Sequence, residues 1–309
     1  MHPAYSVILF TTASGAGYGL LALLGLVGFN HGPASTLAFA LTAMIVALGL
    51  ITVGLLSSTF HLGHPERAWR AFSQWRSSWL SREGVAAVAT YIPALLFGLV
   101  WSGLVDAPQW IGTLGLLTAL MSGITVYCTA QIYASLKTIR SWHQPLVAPV
   151  YLVFGLATGA ALLTAIATLF GRFQPFQVIL AVAALTITAL LKFLYWRAID
   201  AAPRVHTMET ATGLGRIGKV SQWELPHTAT NFVQKEMGYV VARKHAEKLR
   251  MIVFVLLALA FLLMLVSLAA PLVSILAAIV ALAAAATERW LFFAEAQHVS
   301  SLFYGAKAA

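Results

Sequence analysis

The chain has 309 residues, 60% of them hydrophobic and 9% charged, with a mean hydropathy of +0.84. A soluble domain carries about 25% charged residues, so this composition excludes a water-clothed globule and places the chain in a bilayer. The net charge of +9 is not a nucleic-acid footprint here, since in a membrane protein basic residues first report sidedness.

A single cysteine, Cys128, excludes an internal disulfide framework and any iron–sulfur cluster held by this chain, because such clusters need several thiolates. Met1-His2-Pro3 supplies no basic n-region, so the first apolar run is expected to span rather than to be a cleaved signal.

A span needs about 20 apolar residues. In chain order the sequence predicts eight, at 5–29, 36–60, 84–105, 110–136, 146–170, 175–196, 250–269 and 272–292. Gly171 to Pro175 and Ala269-Ala270-Pro271 divide the last four into two tight hairpins, proline being disruptive inside a helix. The expected fold is an all-α integral membrane bundle of eight transmembrane helices, one polytopic domain over 1–309. Its one long connection, 197–249, carries a surface helix over Asn231 to Arg250, where Phe232, Val233, Met237, Val240 and Val241 recur at helical spacing. Gly213 to Gly218 matches G-x-G-x-x-G, but without a strand before it and a helix after it that pattern is a decoy.

With both termini and the even-numbered connections on one side, X, that side holds 18 of the 19 lysines and arginines, and the opposite side, Y, holds Arg172. The positive-inside rule makes X cytoplasmic, with both termini inside. A basic face on X also suits an acidic partner subunit, and the two readings are compatible.

Most of the chemistry lies in the second connection, SSTFHLGHPERAWRAFSQWRSSWLSREG at 57–84. Gly63 and Pro65 stop span two, which leaves His61 in its last turn. Trp69, Trp75, Arg70 and Arg76 read as an interfacial belt on a basic face. His61 is different, because an ionisable group at membrane depth marks function by default. An imidazole there can hydrogen-bond a carbonyl and exchange protons near neutral pH, which is what a quinone requires; the plain alternative is a helix-end cap.

Other polar groups also cluster at the X end. Tyr127 and Gln131 share a face of span four, with Tyr133 beyond them. Glu83 suits the start of span three, where a carboxylate complements the helix dipole. Glu288 and Arg289 in span eight read as an ion pair or as inter-helix packing, with Glu295 and His298 further on. No polar track from Y to X is apparent, which disfavours a transporter or pump. None of the nine histidines lies mid-span, which disfavours a haem held between facing ligands.

The run HLGHPERAW at 61–69 followed by LSREG at 80–84 resembles the membrane anchor subunit of the dimethyl sulfoxide reductase family, as do TTASGAGYG at 11–19, YASLKTIRSW at 133–142 and ERWLFF at 288–293. Within the family, MHPAYSVILFTTASGAGYG and TNFVQKEMGYVVARKHAEKLR are most similar to the anchors of cytoplasmic, quinone-linked sulfite dehydrogenases.

The resemblance implies a haem-free, cluster-free anchor in the bacterial inner membrane. It binds a quinone (ubiquinone or menaquinone). Its partners on the cytoplasmic face are a four-cluster iron–sulfur subunit and a molybdenum-cofactor (molybdopterin) catalytic subunit. The family's quinone-linked histidine falls on His61. Arg67 matches the motif's arginine, and His64 occupies a variable position. Glu83, Tyr133, Glu288 and Arg289 are expected at the site wall or in proton supply. Two alternatives stand: the same anchor run backwards, oxidising quinol for a reductase of dimethyl sulfoxide, polysulfide or another oxyanion, and a structural tether without a quinone site.

Overall fold

The computed structural model describes residues 4–34, 36–61, 64–203, 205–224, 245–304 and 306, without the side chains of His61 and Pro65. Eight helices among these residues are long and apolar enough to cross a membrane. They are α1 (Tyr5–His31), α2 (Leu37–Ser57), α3 (Trp79–Trp101), α4 (Ile111–Ala134), α5 (Val147–Leu169), α6 (Pro175–Ala201), α7 (Ala246–Val266) and α8 (Val273–Ala294). Two 3₁₀ segments, Ser58–His61 and Pro65–Phe72, form the elbow between α2 and α3. The described residues contain no strand, only an isolated bridge between Ile139 and His298.

The span readings agree with these helices to within three residues except at two starts and two ends, α3 stopping at Trp101 rather than 105 and α6 running on to Ala201 rather than 196. α3 begins at Trp79, before the purely apolar stretch, so Glu83 lies inside the helix rather than at its end. The polar residues of that first turn are satisfied by the elbow. Arg82 donates to the carbonyls of Trp75 (3.0 Å) and Arg76 (2.7 Å) and stacks on Trp79 at 4.3 Å. α7 likewise starts at Ala246 and takes in Arg250, which is neutralised by Asp200 (2.7 Å) and Glu295 (2.8 Å). The surface helix expected over Asn231 to Arg250 lies outside the described residues as far as Lys244. The glycine decoy follows a short helix, Met208–Thr212, and consists of a left-handed Gly213 (φ 70°) leading into a 3₁₀ turn, Leu214–Arg216.

α1 is the axis of the bundle and packs against α2, α4, α5 and α8. Small residues allow this. Gly19 of α1 lies against the backbone of Gly155 on α5, and Gly159 against that of Gly19. Gly15 and Gly19 pair with Gly155 and Gly159 in the small-xxx-small spacing that lets membrane helices approach closely. A second close approach joins Gly25 to Gly115 of α4. α7 stands at the edge, with few buried positions, and packs on α6 and α8.

The X ends are tied to one another. Ser57 donates to the carbonyl of Ser6 at 3.0 Å, which joins the end of α2 to the start of α1. The Val299 amide donates to the Thr138 carbonyl at 3.1 Å, and Arg140 donates to the carbonyls of Ile199, Ala202 and Pro203. The C-terminal turn, the α4–α5 connection and the end of α6 thus form one layer on side X.

A Cβ at Gly19 has backbone to displace, not a movable side chain. Gly19→Ala is expected to destabilise the protein by about 1–3 kcal/mol, the range for overpacking, visible as a lower melting temperature in detergent. Gly123→Ala, where nothing lies within 4 Å, should leave it unchanged.

Candidate functional site

The elbow lies on the start of α3. The Gln74 amide donates to Ser81 Oγ at 3.1 Å, and the Phe72 ring sits against Gly84. The 3₁₀ turn that ends in His61 packs on α1 and α2, and the second 3₁₀ segment packs on α3. Arg67 and Glu66 are exposed and 3.8 Å apart, with His64 Nδ1 3.0 Å from the same Glu66 oxygen. Trp69 and Trp75 are exposed and each carries the neighbouring arginine over its ring. This is the basic, aromatic face the sequence predicts for an interface.

Glu83, between the two elbow contacts in sequence, faces α4. It is 5% exposed and accepts a 2.7 Å hydrogen bond from the Thr129 hydroxyl of α4. A helix-dipole role does not explain a carboxyl so far inside; desolvating it is costly. Thr125 and Thr90, 3.0 Å apart, continue the polar seam between α3 and α4.

Tyr133 lies elsewhere, in an aromatic box. Its ring meets those of Trp142, Tyr151, Phe292 and Phe293 at centroid distances of 5.1–5.9 Å. The Trp142 indole donates to the Phe292 carbonyl at 3.0 Å. This box joins α4, α5, α8 and the α4–α5 connection.

Glu288 and Arg289 are the ion pair expected, 3.2 Å apart, but a third member joins them. Lys192 of α6 reaches Glu288 at 2.5 Å, and all three are buried. Arg289 stacks on Tyr151 at 3.4 Å, and Lys192 lies over Tyr195 at 3.8 Å and Trp196 at 4.7 Å. Cation–π contacts strengthen where water is excluded. Toward the X surface, Glu295 accepts from Trp196 (3.2 Å) and Arg250 (2.8 Å). Burial pushes its carboxyl above the usual range, against the pull of Arg250.

Between Arg289 and Thr129 lies a cavity of about 20 Å³, also lined by Thr11, Thr12, Ser14 and Tyr151. Of the groups above, Arg289 and Thr129, the hydroxyl partner of Glu83, both line this cavity. Arg67 stays on the outer elbow, and Tyr133 belongs to the aromatic box. The role of Lys192 was missed because it reads as one more positive-inside residue. The signal was its depth, about 13 Å inside the end of α6 at 1.5 Å per residue, together with Tyr195 and Trp196 three and four residues on. Among the described residues no group of three or more His, Cys, Asp or Glu is placed to hold a metal ion.

The bundle and its polar X face define a multi-pass membrane subunit. The chain belongs to the DMSO reductase anchor subunit (DmsC) family, whose profile matches residues 1–306. It is 33% identical to the C subunit of the sulfite dehydrogenase of Allochromatium vinosum, across 98% of this chain and 99% of that one. It is also 26% identical to the C chain of the anaerobic dimethyl sulfoxide reductase of Haemophilus influenzae, across 45% of this chain and 50% of that one.

Glu288 is the carboxylate that both buried cations contact, so Glu288→Gln leaves Lys192 and Arg289 without their direct ion-pair partner. Loss of one partner from a buried pair costs about 3–5 kcal/mol. Glu288→Gln should therefore lower the melting temperature more than Lys192→Met, which leaves Glu288 paired with Arg289; equal melting temperatures would contradict the geometry.

Proposed function

We propose that this chain is the quinone-binding membrane anchor of a sulfite-oxidising complex. In this reading, an iron–sulfur subunit docks on the X face and a molybdenum-cofactor subunit beyond it oxidises sulfite. The X face is cytoplasmic, both termini are inside, and the membrane is the bacterial inner membrane. The observation that carries the reading is the likeness to the Allochromatium sulfite dehydrogenase anchor over nearly the whole of both chains. It is supported by an elbow that ends α2 at His61 and covers the α3 segment bearing a buried carboxyl.

A bound quinone supplies the two-electron, two-proton chemistry that links the partner's clusters to the membrane pool. The residues near the elbow fit such a ligand, since Glu83 is a protonatable group held inside the bilayer within reach of one hydroxyl. In this account the His61 imidazole hydrogen-bonds a ligand carbonyl and exchanges a proton with it. Glu83 forms the inner wall and moves a second proton. Arg67 fixes the outer elbow through Glu66 and supplies positive charge beside the site. The basic, tryptophan-bearing surface receives the partner. Tyr133 holds the helices around the site through its aromatic box, and Glu288 and Arg289 act from behind the cavity.

The second reading, an anchor that oxidises quinol for a dimethyl sulfoxide reductase, is favoured by the half-length likeness to the Haemophilus protein. The same site serves either direction. The positive-inside count favours sulfite, because it puts the docking face on the cytoplasmic side.

The test uses the intact complex. Sulfite-dependent reduction of a quinone analogue is compared with sulfite-dependent reduction of a soluble dye, in wild type and in His61→Ala. Loss of a general acid–base group costs about 10²–10⁴-fold. The quinone rate should fall on that scale with the dye rate unchanged. Unchanged quinone reduction would remove His61 from the site, and quinone reduction absent from the wild type would leave the tether. Reduction of an oxyanion by quinol, without sulfite activity, would favour the second reading.

A further inference from the structure

The two helices on either side of the elbow, α2 and α3, hardly pack on each other; α2 packs chiefly on α1, and α3 on α4. Toward side Y they do meet. The Phe39 ring of α2 lies 5.9 Å from that of Trp101, and the Met44 side chain lies against Gly98. Farther toward X a hydrogen bond crosses between them. Thr52 gives its proton to its own Leu48 carbonyl (2.7 Å), so the Tyr91 hydroxyl of α3 is the donor to Thr52, at 2.6 Å.

X-ward of that pair each helix is pinned to a different neighbour. The end of α2 is held to α1, where Ser57 donates to the Ser6 carbonyl and Gly54 lies against the backbone of Phe10 and Ser14. α3 is held to α4 by Thr90 with Thr125 (3.0 Å) and by Thr129 with Glu83 (2.7 Å). Among the described residues no hydrogen bond, ion pair or ring contact joins α2 to α3 on this side of Thr52 and Tyr91. The seams beside it are tied, and this one is not.

The seam separates two environments. Outside it, Val53 and Leu56 of α2 and Val85 and Val88 of α3 are exposed, apolar and at lipid depth. Behind it stands Tyr18 of α1, which is buried, in electrostatic reach of Glu83 and Tyr91, and beside Thr125. No hydrogen bond of good geometry engages its hydroxyl. Hydroxyls and a carboxyl on the inner side suit a carbonyl head group, and the apolar lips suit a tail. Such a tail is held in lipid by about 0.8 kcal/mol per CH₂, so it does not pass over the water-facing elbow, whose Trp75 and Arg76 carbonyls are pinned to Arg82 of α3.

We propose that the X half of the α2–α3 seam is the lateral entrance by which an isoprenoid-tailed quinone brings its head group from the bilayer to the site, its tail remaining between the two helices. The identity of the occupant rests on the function proposed above. The Thr52–Tyr91 bond is the floor of the entrance, and the stretch of elbow on α3 is its roof.

The test uses the intact complex in liposomes. Leu55→Cys with Val88→Cys places a thiol on each helix, one turn X-ward of the Thr52–Tyr91 bond. A bifunctional thiol reagent that a reductant can cleave then bridges them. Leu48→Cys with Leu95→Cys, one turn Y-ward, is the control bridge. Wild type receives the same reagent, its Cys128 being buried. Sulfite-dependent reduction of a long-tailed quinone should be lost with the X-side bridge, return on cleavage and survive the Y-side bridge. Reduction of a soluble dye should be unchanged throughout.

Undiminished quinone reduction across the X-side bridge would overturn the proposal. Equal losses from the two bridges would also overturn it, because that is the mark of a general loss of motion. Each protein is compared bridged and cleaved, so misfolding does not imitate the result. A wild-type complex that reduces no quinone would overturn the function and the entrance together, whereas reduction indifferent to the X-side bridge removes the entrance and leaves the function standing.

Discussion

The desolvation of charge is the constraint on which the rest of this bundle depends. A chain this apolar can afford ionisable groups at depth only where partners are built around them. Lys192 is enclosed by Glu288 and by the rings of Tyr195 and Trp196. Arg289 lies between Glu288 and the face of Tyr151. Those contacts fix α5, α6 and α8 against one another more specifically than apolar packing does, because lipid competes with apolar side chains but not with ion pairs. The aromatic box around Tyr133 adds α4 to the same group of helices.

The glycine seam of α1 has the complementary role. It brings the α1 backbone against α5 and α4, beside a small cavity lined by α1, α4, α5 and α8. Glu83 of α3 is hydrogen-bonded by Thr129, one of the residues lining that cavity, on the helix to which the elbow is pinned. The elbow is therefore both a surface and a cover: its outer face carries exposed arginine and tryptophan, and its inner face closes over the segment bearing Glu83.

The spans were legible because each carries about 20 apolar residues between polar or proline breaks. Their starts were less so. Hydropathy alone places Ser81-Arg82-Glu83 outside α3, whereas the elbow's carbonyls and the Trp79 ring satisfy Arg82 within it. The Glu288–Arg289 pair was visible as adjacent opposite charges. Its partnership with Lys192, and that of Thr129 with Glu83, are contacts between distant parts of the chain for which local pattern gives no signal. The motif at 61–69 named the family and a histidine. The burial that separates Glu83 from the exposed Arg67 appears only when the helices are packed.

The central claim is that a quinone sits beneath the elbow, between the end of α2 and the start of α3. The most direct measurement is photolabelling of the intact complex with a photoreactive quinone analogue, followed by peptide mapping. The account predicts label within residues 57–84, suppressed by an excess of unlabelled quinone. Label confined to the outer face of α7 or to the connections on side Y, or label that unlabelled quinone does not displace, would contradict it.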